Sequence, residues 1–234
     1  MRRQLININA NSKLYPINEI EFNMTSMYPG YFISFEGIDG VGKSTQVELL
    51  IAHLEAHGKK VCRTHEPGGT ELGAEIRHLL LHRKGEVTPR AEALLYAADR
   101  AHHVATKIRP ALERGEVVVS DRYMDSSIAY QGSGRDLGFD QIRELSMFAT
   151  DGLLPDLTVL LDLEASKAQA RRNKTGEAPD RLEREKIEFF EAVRQAYLDM
   201  AAAEPKRWLV IDARQTVEEM QAQIRARVTQ LLGA

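Results

Sequence analysis

Residues 37–45 read GIDGVGKST, matching the pattern G-x-x-x-x-G-K-[ST] with Lys43 and Ser44 in its last two places. The pattern has mechanical meaning only between a strand and a helix, so it constrains the fold on both sides. YFISF (31–35) precedes it as a candidate strand. STQVELLIAHLEAH (44–57) follows, with Val47, Leu50, Ile51 and Leu54 on one helical face and Gly58 where a helix would end. In that setting the nine residues Gly37, Ile38, Asp39, Gly40, Val41, Gly42, Lys43, Ser44 and Thr45 form a loop that grips nucleotide phosphates. The three glycines let it wrap tightly and aim N–H groups at phosphate oxygens, helped by the positive end of the helix. Lys43 adds a point charge, and the Ser44 hydroxyl can reach magnesium. The bland alternative is a chance match in a Gly-rich turn. Asp39 is less usual, because a carboxylate beside phosphates is repelled unless it holds a cation or a hydroxyl; otherwise it is a solvated loop acid.

Composition limits the partners. At 234 residues and 43% hydrophobic content, the chain can bury a sizeable core as one domain. A formal net charge of -3 provides no overall field that would draw in nucleic acid or anionic membrane, so any cationic site is local. The single cysteine, Cys62, excludes an internal disulfide and a Cys-based zinc site, and a reducing, cytoplasmic setting fits it. No apolar run approaches the roughly 20 residues needed to span a bilayer, and MRRQLININANSKLYPINEI lacks the apolar stretch of a secretory signal. Residues 1–28 read as an N-terminal extension with Met24 or Met27 as candidate native starts, the alternative being an edge strand; residues 29–234 read as a single domain.

Short apolar runs then alternate with helical patterns. KVCRT (60–64) is a second candidate strand, followed by EPGGT and a helix through LGAEIRHLLL. A longer helix runs from about Pro89 to Arg114, with Pro110 marking a bend or break. EVVVSD (116–121) and LTVLLD (157–162) are apolar runs ending in acid, as central parallel strands are, and WLVID (208–212) is a weaker fifth. The alternation predicts an open α/β sheet of about five parallel strands flanked by helices, with ligands at the carboxyl ends.

Three further stretches are HEPGGT (65–70), LLYAADR (94–100) and SDRYMDSSIAYQG (120–132). In this order and at these separations, together with FEGIDGVGKST, they resemble bacterial thymidylate kinase over about residues 31–232. The resemblance implies a P-loop nucleoside monophosphate kinase fold with a lid at about 171–182. It also implies transfer of the γ-phosphate of ATP to thymidine 5'-monophosphate with Mg2+, feeding dTTP synthesis, and a homodimer joined through helices. Tyr96 and Arg100 are four apart on a predicted helix, so a ring can stack on a base while a guanidinium reaches its edge carbonyl; packing and solvation alone also fit the pair. Asp121 and Arg122 end a strand, where Asp121 with Ser44 can hold magnesium and Arg122 can clamp an acceptor phosphate; a structural strand cap is the alternative. By resemblance, Ser127 and Gln131 hydrogen-bond the base, Tyr130 lies against the sugar, and Arg77 returns to the acceptor phosphate after the turn at Glu66 and Pro67. Tyr130 fits plain packing equally well. His65 stands where the commoner pattern has Arg, and no role is assigned to it.

Phosphoryl transfer needs positive charge on the moving group. One branch of the family carries an arginine in the phosphate loop, at the position of Gly40 here; this chain has ARRNKTGEAPDRLERE (170–185) instead, which looks like the basic lid of the other branch. Arg171, Arg172, Lys174 and Arg181 are the candidates, with Arg172 and Arg181 favoured by the spacing around APDRLE and Arg171 not separable from Arg172. A solvated basic turn balanced by Glu177, Asp180 and Glu183 is the alternative. The adenine is expected near Ala213 and Arg214. A kinase for another nucleoside monophosphate and a P-loop switch that slowly hydrolyses nucleotide are the rival functions.

Overall fold

The five apolar runs form one fully parallel sheet in the order β2-β3-β1-β4-β5, in a computed structural model that describes residues 28–175 and 180–233. The strands are β1 (Tyr31–Glu36), β2 (Val61–His65), β3 (Val117–Asp121), β4 (Leu157–Asp162) and β5 (Trp208–Asp212). β1, β3 and β4 are almost wholly buried, whereas β2 and β5 are mostly half-buried or exposed, because the edge strands have only one neighbour and less cover. Apolar side chains from both faces of the sheet join one large core, to which Tyr28 also packs. The described chain thus begins one residue inside the expected extension; the rest of it, with Met24 and Met27, lies outside the described residues.

Helices α1 (Lys43–Ala56), α2 (Glu71–Leu81), α3 (Pro89–His103), α4 (Arg109–Glu113), α5 (Met124–Ser127), α6 (Phe139–Thr150), α7 (Ala165–Arg172), α8 (Ile187–Ala203) and α9 (Val217–Leu231) fill the connections. The bend or break expected at Pro110 is resolved differently: the helix passes through a π-turn at Val104–Ile108 before α4. Proline has no N–H to donate, and its ring crowds the preceding turn, so a widened turn just ahead of it lets the chain stay helical. A second π-turn, Ile128–Gly134, extends α5 and carries Tyr130 and Gln131 into the interior.

Register decides what meets at the carboxyl edge. Phe35 pairs with Asp121 across β1 and β3, and His65 pairs with Asp121 across β2 and β3. The phosphate loop after β1, the HEPGGT turn after β2 and the SDRY segment after β3 therefore open side by side, where the strand order reverses.

Candidate active site

The phosphate loop enters α1 through Gly42, whose φ of 99° is open to glycine, and α1 has neither a side-chain cap nor an acidic residue in its first turn. That leaves its positive end available to an anion. Lys43 is buried and folds back on the loop, donating from Nζ to the carbonyls of Gly37 at 3.0 Å and Ile38 at 3.1 Å. Burial, then the Arg122 charge, lowers its pKa, with Asp39 at 3.7 Å acting in the opposite direction. Ser44 donates from Oγ to Asp121 Oδ2 at 3.0 Å.

Asp39 holds a cation, namely the Arg122 guanidinium at 2.7 Å. Withdrawal from water raises its pKa, but Arg122 and Lys43 outweigh that and hold the carboxyl well below the usual range. Arg122 takes a φ of 71°, an uncommon conformation for a residue with a side chain. Its guanidinium also donates to Ser126 Oγ at 3.2 Å and Tyr130 Oη at 3.3 Å, and lies 5.1 Å from the centre of the Tyr130 ring.

Two cavities share this ground. One is lined by Gly40, Lys43, Ser44, Thr45, Asp121 and Arg172, the other by Tyr96, Arg100, Ser127, Tyr130 and Gln131, and Asp39, Glu66, Arg77 and Arg122 border both. In the second cavity Tyr96 packs against Leu182 of the lid within a small satellite core. Arg100 is buried; it donates from Nε to Glu66 Oε2 at 2.7 Å and from Nη2 to Ser127 Oγ at 3.1 Å. Its Nη1 has no hydrogen-bond partner among the described residues. A buried orphan donor on a cavity wall is costly unless a ligand acceptor completes it. Burial works against the Glu66 charge, yet Arg100 and His103 together hold its carboxyl below the usual range. Arg77 leans on the HEPGGT turn, donating from Nη1 to the Pro67 carbonyl at 2.9 Å.

The lid residues diverge. Arg172 pairs with Glu183 at 2.7 Å and faces the loop cavity. Arg171 lines the same cavity and donates to the Ala213 carbonyl at 2.8 Å, on the side where adenine is expected. Lys174 is exposed. Arg181 points away from the loop cavity: it donates to the Leu80 carbonyl at 2.8 Å and pairs with Glu92. Gly176, Glu177 and Pro179 lie outside the described residues. A Cβ built on Gly40 would stand 2.3 Å from the Ala168 carbonyl of α7, so no side chain fits at that position in this arrangement.

Sequence reasoning missed Glu92, Asp99 and His103 on α3, and Glu36 at the end of β1. His103 bridges Glu66 at 2.9 Å and Thr64 at 2.6 Å, and Asp99 accepts from the Gly68 amide at 3.3 Å. Glu92 lies one turn before Tyr96 on the same face, a spacing that could have flagged it.

Ser44 and Asp121 present two hard oxygen donors side by side at the mouth of the loop, which suits magnesium. Among the described residues no three His, Cys, Asp or Glu side chains gather around a metal position.

A family model described as thymidylate kinase matches residues 35–224. A thymidylate kinase from Leifsonia xyli is 62% identical over 200 residues, spanning 86% of this chain and 95% of that relative. One from Deinococcus radiodurans is 48% identical over 204 residues, spanning 87% and 98%. Among solved structures, thymidylate kinase from Ehrlichia chaffeensis superposes with a TM-score of 0.69 at 31% identity, covering 85% of this chain and 98% of that one. The matched span contains the phosphate loop and both cavities, and by that extent of likeness the chain belongs to the thymidylate kinase family.

Proposed function

We infer that the protein phosphorylates thymidine 5'-monophosphate to the diphosphate with the γ-phosphate of ATP. The observation that carries this reading is the pair of cavities meeting at Asp39, Arg77 and Arg122, one built for phosphates and one for a base. The loop from Gly37 to Thr45 receives the donor phosphates. Tyr96, Arg100, Ser127 and Gln131 receive the base, Tyr130 lies against the sugar where a 2'-hydroxyl would crowd it, and Arg77 and Arg122 hold the acceptor phosphate. Glu66 and Pro67 support this side from the turn.

Ser44 and Asp121 are the residues that would hold Mg2+, which when bound neutralises phosphate charge. Arg172 faces the donor cavity and supplies a cation to the moving phosphoryl group. Arg181 fastens the lid at the acceptor end. Catalysis is positioning and electrostatic stabilisation in a site closed to water, with no covalent intermediate on the protein.

A homodimer joined through helices is supported by two exposed apolar side chains on the packed helices α3 and α6, Leu94 at 59% and Phe148 at 87% exposure. No described helix is long and apolar enough to cross a membrane, and one half-buried free cysteine fits a cytoplasmic setting. The catalytic domain is assigned to residues 29–234, with 1–28 as an extension.

The test is ADP release measured with and without thymidine 5'-monophosphate, beside its uridine, cytidine and guanosine counterparts. Strong stimulation by the thymidine nucleotide is expected. Equal stimulation by all four would replace this acceptor with a broader one, and none at all would favour a nucleotide-hydrolysing switch.

A further inference from the structure

Glu92 is wholly withdrawn from solvent and receives donors from three directions. Gln131 Nε2 reaches its Oε1 at 2.9 Å, Arg135 Nε reaches the same oxygen at 3.2 Å, Arg135 Nη2 reaches Oε2 at 3.4 Å, and Arg181 Nη2 closes on Oε2. The guanidiniums of Arg135, directly after the second π-turn and shared with Glu185, and of Arg181 offset its charge. Beyond its pairing with Arg181, the roles assigned above make no use of this carboxylate.

A carboxylate accepts hydrogen bonds and has none to give. Whichever end of the Gln131 amide touches Glu92 must be its nitrogen, and the amide oxygen is turned away from it. Gln131 lines the acceptor cavity, and so does Arg100, whose Nη1 is a buried donor lacking a partner. The cavity therefore presents one donor and one acceptor to the edge of a base. Thymine and uracil carry a 4-carbonyl beside an N3–H, which match that pair. Cytosine carries an amino group beside a bare ring nitrogen, the reverse pattern.

We propose that Glu92 is a positioning residue for base selection, holding the Gln131 amide with its oxygen toward the acceptor so that the site takes a pyrimidine with N3–H and 4-carbonyl and refuses cytosine. The proposal rests on the acceptor reading given above and adds to it the residue that sets the polarity of the pocket. A neutral amide in place of Glu92 can either donate or accept, so it would leave Gln131 free to turn over.

The experiment compares kcat/KM for thymidine and deoxycytidine 5'-monophosphates in the full-length enzyme, in Glu92→Gln, and in the exchanged pair Glu92→Gln with Gln131→Glu. In Glu92→Gln the preference for the thymidine nucleotide is expected to fall by at least about tenfold, chiefly through its KM, while KM for ATP moves less than about twofold. The exchanged pair restores an acceptor-only group at position 131 with a donor behind it, so it should regain most of the lost preference. An unchanged preference in a folded Glu92→Gln, or an exchanged pair that folds and shows no recovery, overturns the proposal. Where Glu92→Gln alone does not fold, the exchanged pair decides by itself: a retained preference supports the proposal, and its absence overturns it. If the unaltered enzyme does not use the thymidine nucleotide, the acceptor reading has failed instead, and the two failures are distinct.

Discussion

Arg122 at the carboxyl end of β3 donates to Asp39 in the phosphate loop across 2.7 Å, and this ion pair stands on the boundary between the two cavities. Donor and acceptor phosphates both carry negative charge, so a guanidinium at their meeting point is where a cation has most effect. Asp39 also anchors one nitrogen of that guanidinium, Nη2, while Nη1 donates to Ser126 Oγ. Arg122→Ala is expected to lower kcat/KM for the acceptor by at least about 100-fold. Isothermal titration of ATP should change by less than about threefold; an equal loss for both nucleotides would contradict the boundary placement.

Lys43 is bound to the loop's own carbonyls and has to turn from them to reach a phosphate. Lys43→Ala should reduce kcat by about 10³-fold or more without unfolding the protein, since it removes a point charge from the transferring group. Near-normal steady-state turnover would remove the phosphate loop from the mechanism.

Gly40 tests whether the cation can be relocated. Gly40→Arg adds positive charge to the loop, but its Cβ would meet the Ala168 carbonyl at 2.3 Å and the Arg172 Cβ at 3.3 Å. The expected outcome is a loss of activity, together with lid residues that become more open to proteolysis. Activity at or above the parent level would mean that α7 withdraws readily from the loop.

Arg100 and Glu66 form a buried pair at 2.7 Å, 1% and 2% exposed. Removing one partner strands the other, so Arg100→Ala should cost about 3–5 kcal/mol of stability in urea unfolding. Glu66→Gln added to Arg100→Ala should return part of that stability without returning acceptor affinity. Full recovery of both would separate Arg100 from base recognition.

Two buried carboxyls each contribute stability that declines as pH rises. Burial first, then repulsion from Asp125, raises Glu36 from 4.5 to about 7, and burial with the Glu66 charge raises Asp99 from 3.8 to about 6. A carboxyl raised in the folded state binds its proton more tightly there than in the unfolded chain. Its contribution is fully present below the unfolded value and is lost as pH rises through the folded one. The stability of the parent relative to Glu36→Gln should therefore decline between about pH 4.5 and 7 and level off above. Urea midpoints across that range read the difference directly, and a flat difference would place the Glu36 carboxyl in the ordinary range.

The phosphate loop and the five strands were legible because each rests on local pattern, a glycine spacing or an apolar run, whereas Arg77, Ser127, Tyr130 and Gln131 were singled out by resemblance to the family. The partners of the site residues were not legible. Asp39 with Arg122, Arg100 with Glu66, and Arg181 with Glu92 join positions far apart in the chain, and only the strand order brings them together. The lid shows the same limit. The spacing around APDRLE favoured Arg172 and Arg181 together, yet Arg172 pairs with Glu183 beside the phosphate loop and Arg181 pairs with Glu92 beside the base cavity. The π-turn before Pro110 was hidden because sequence marks the missing N–H but not how the helix absorbs it.

β1 lies at the centre of the sheet, flanked by strands that come from residues 117–121 and 157–162. A growing polypeptide that has left the ribosome only through β2 therefore holds its glycine turn on a ribbon with neither neighbour yet made. Parallel pairing between such distant segments forms slowly, since a long stretch must be brought round first. Nucleotide grip is thus a late acquisition during synthesis, and in chains halted before β4 one edge of β1 would stay without its partner strand.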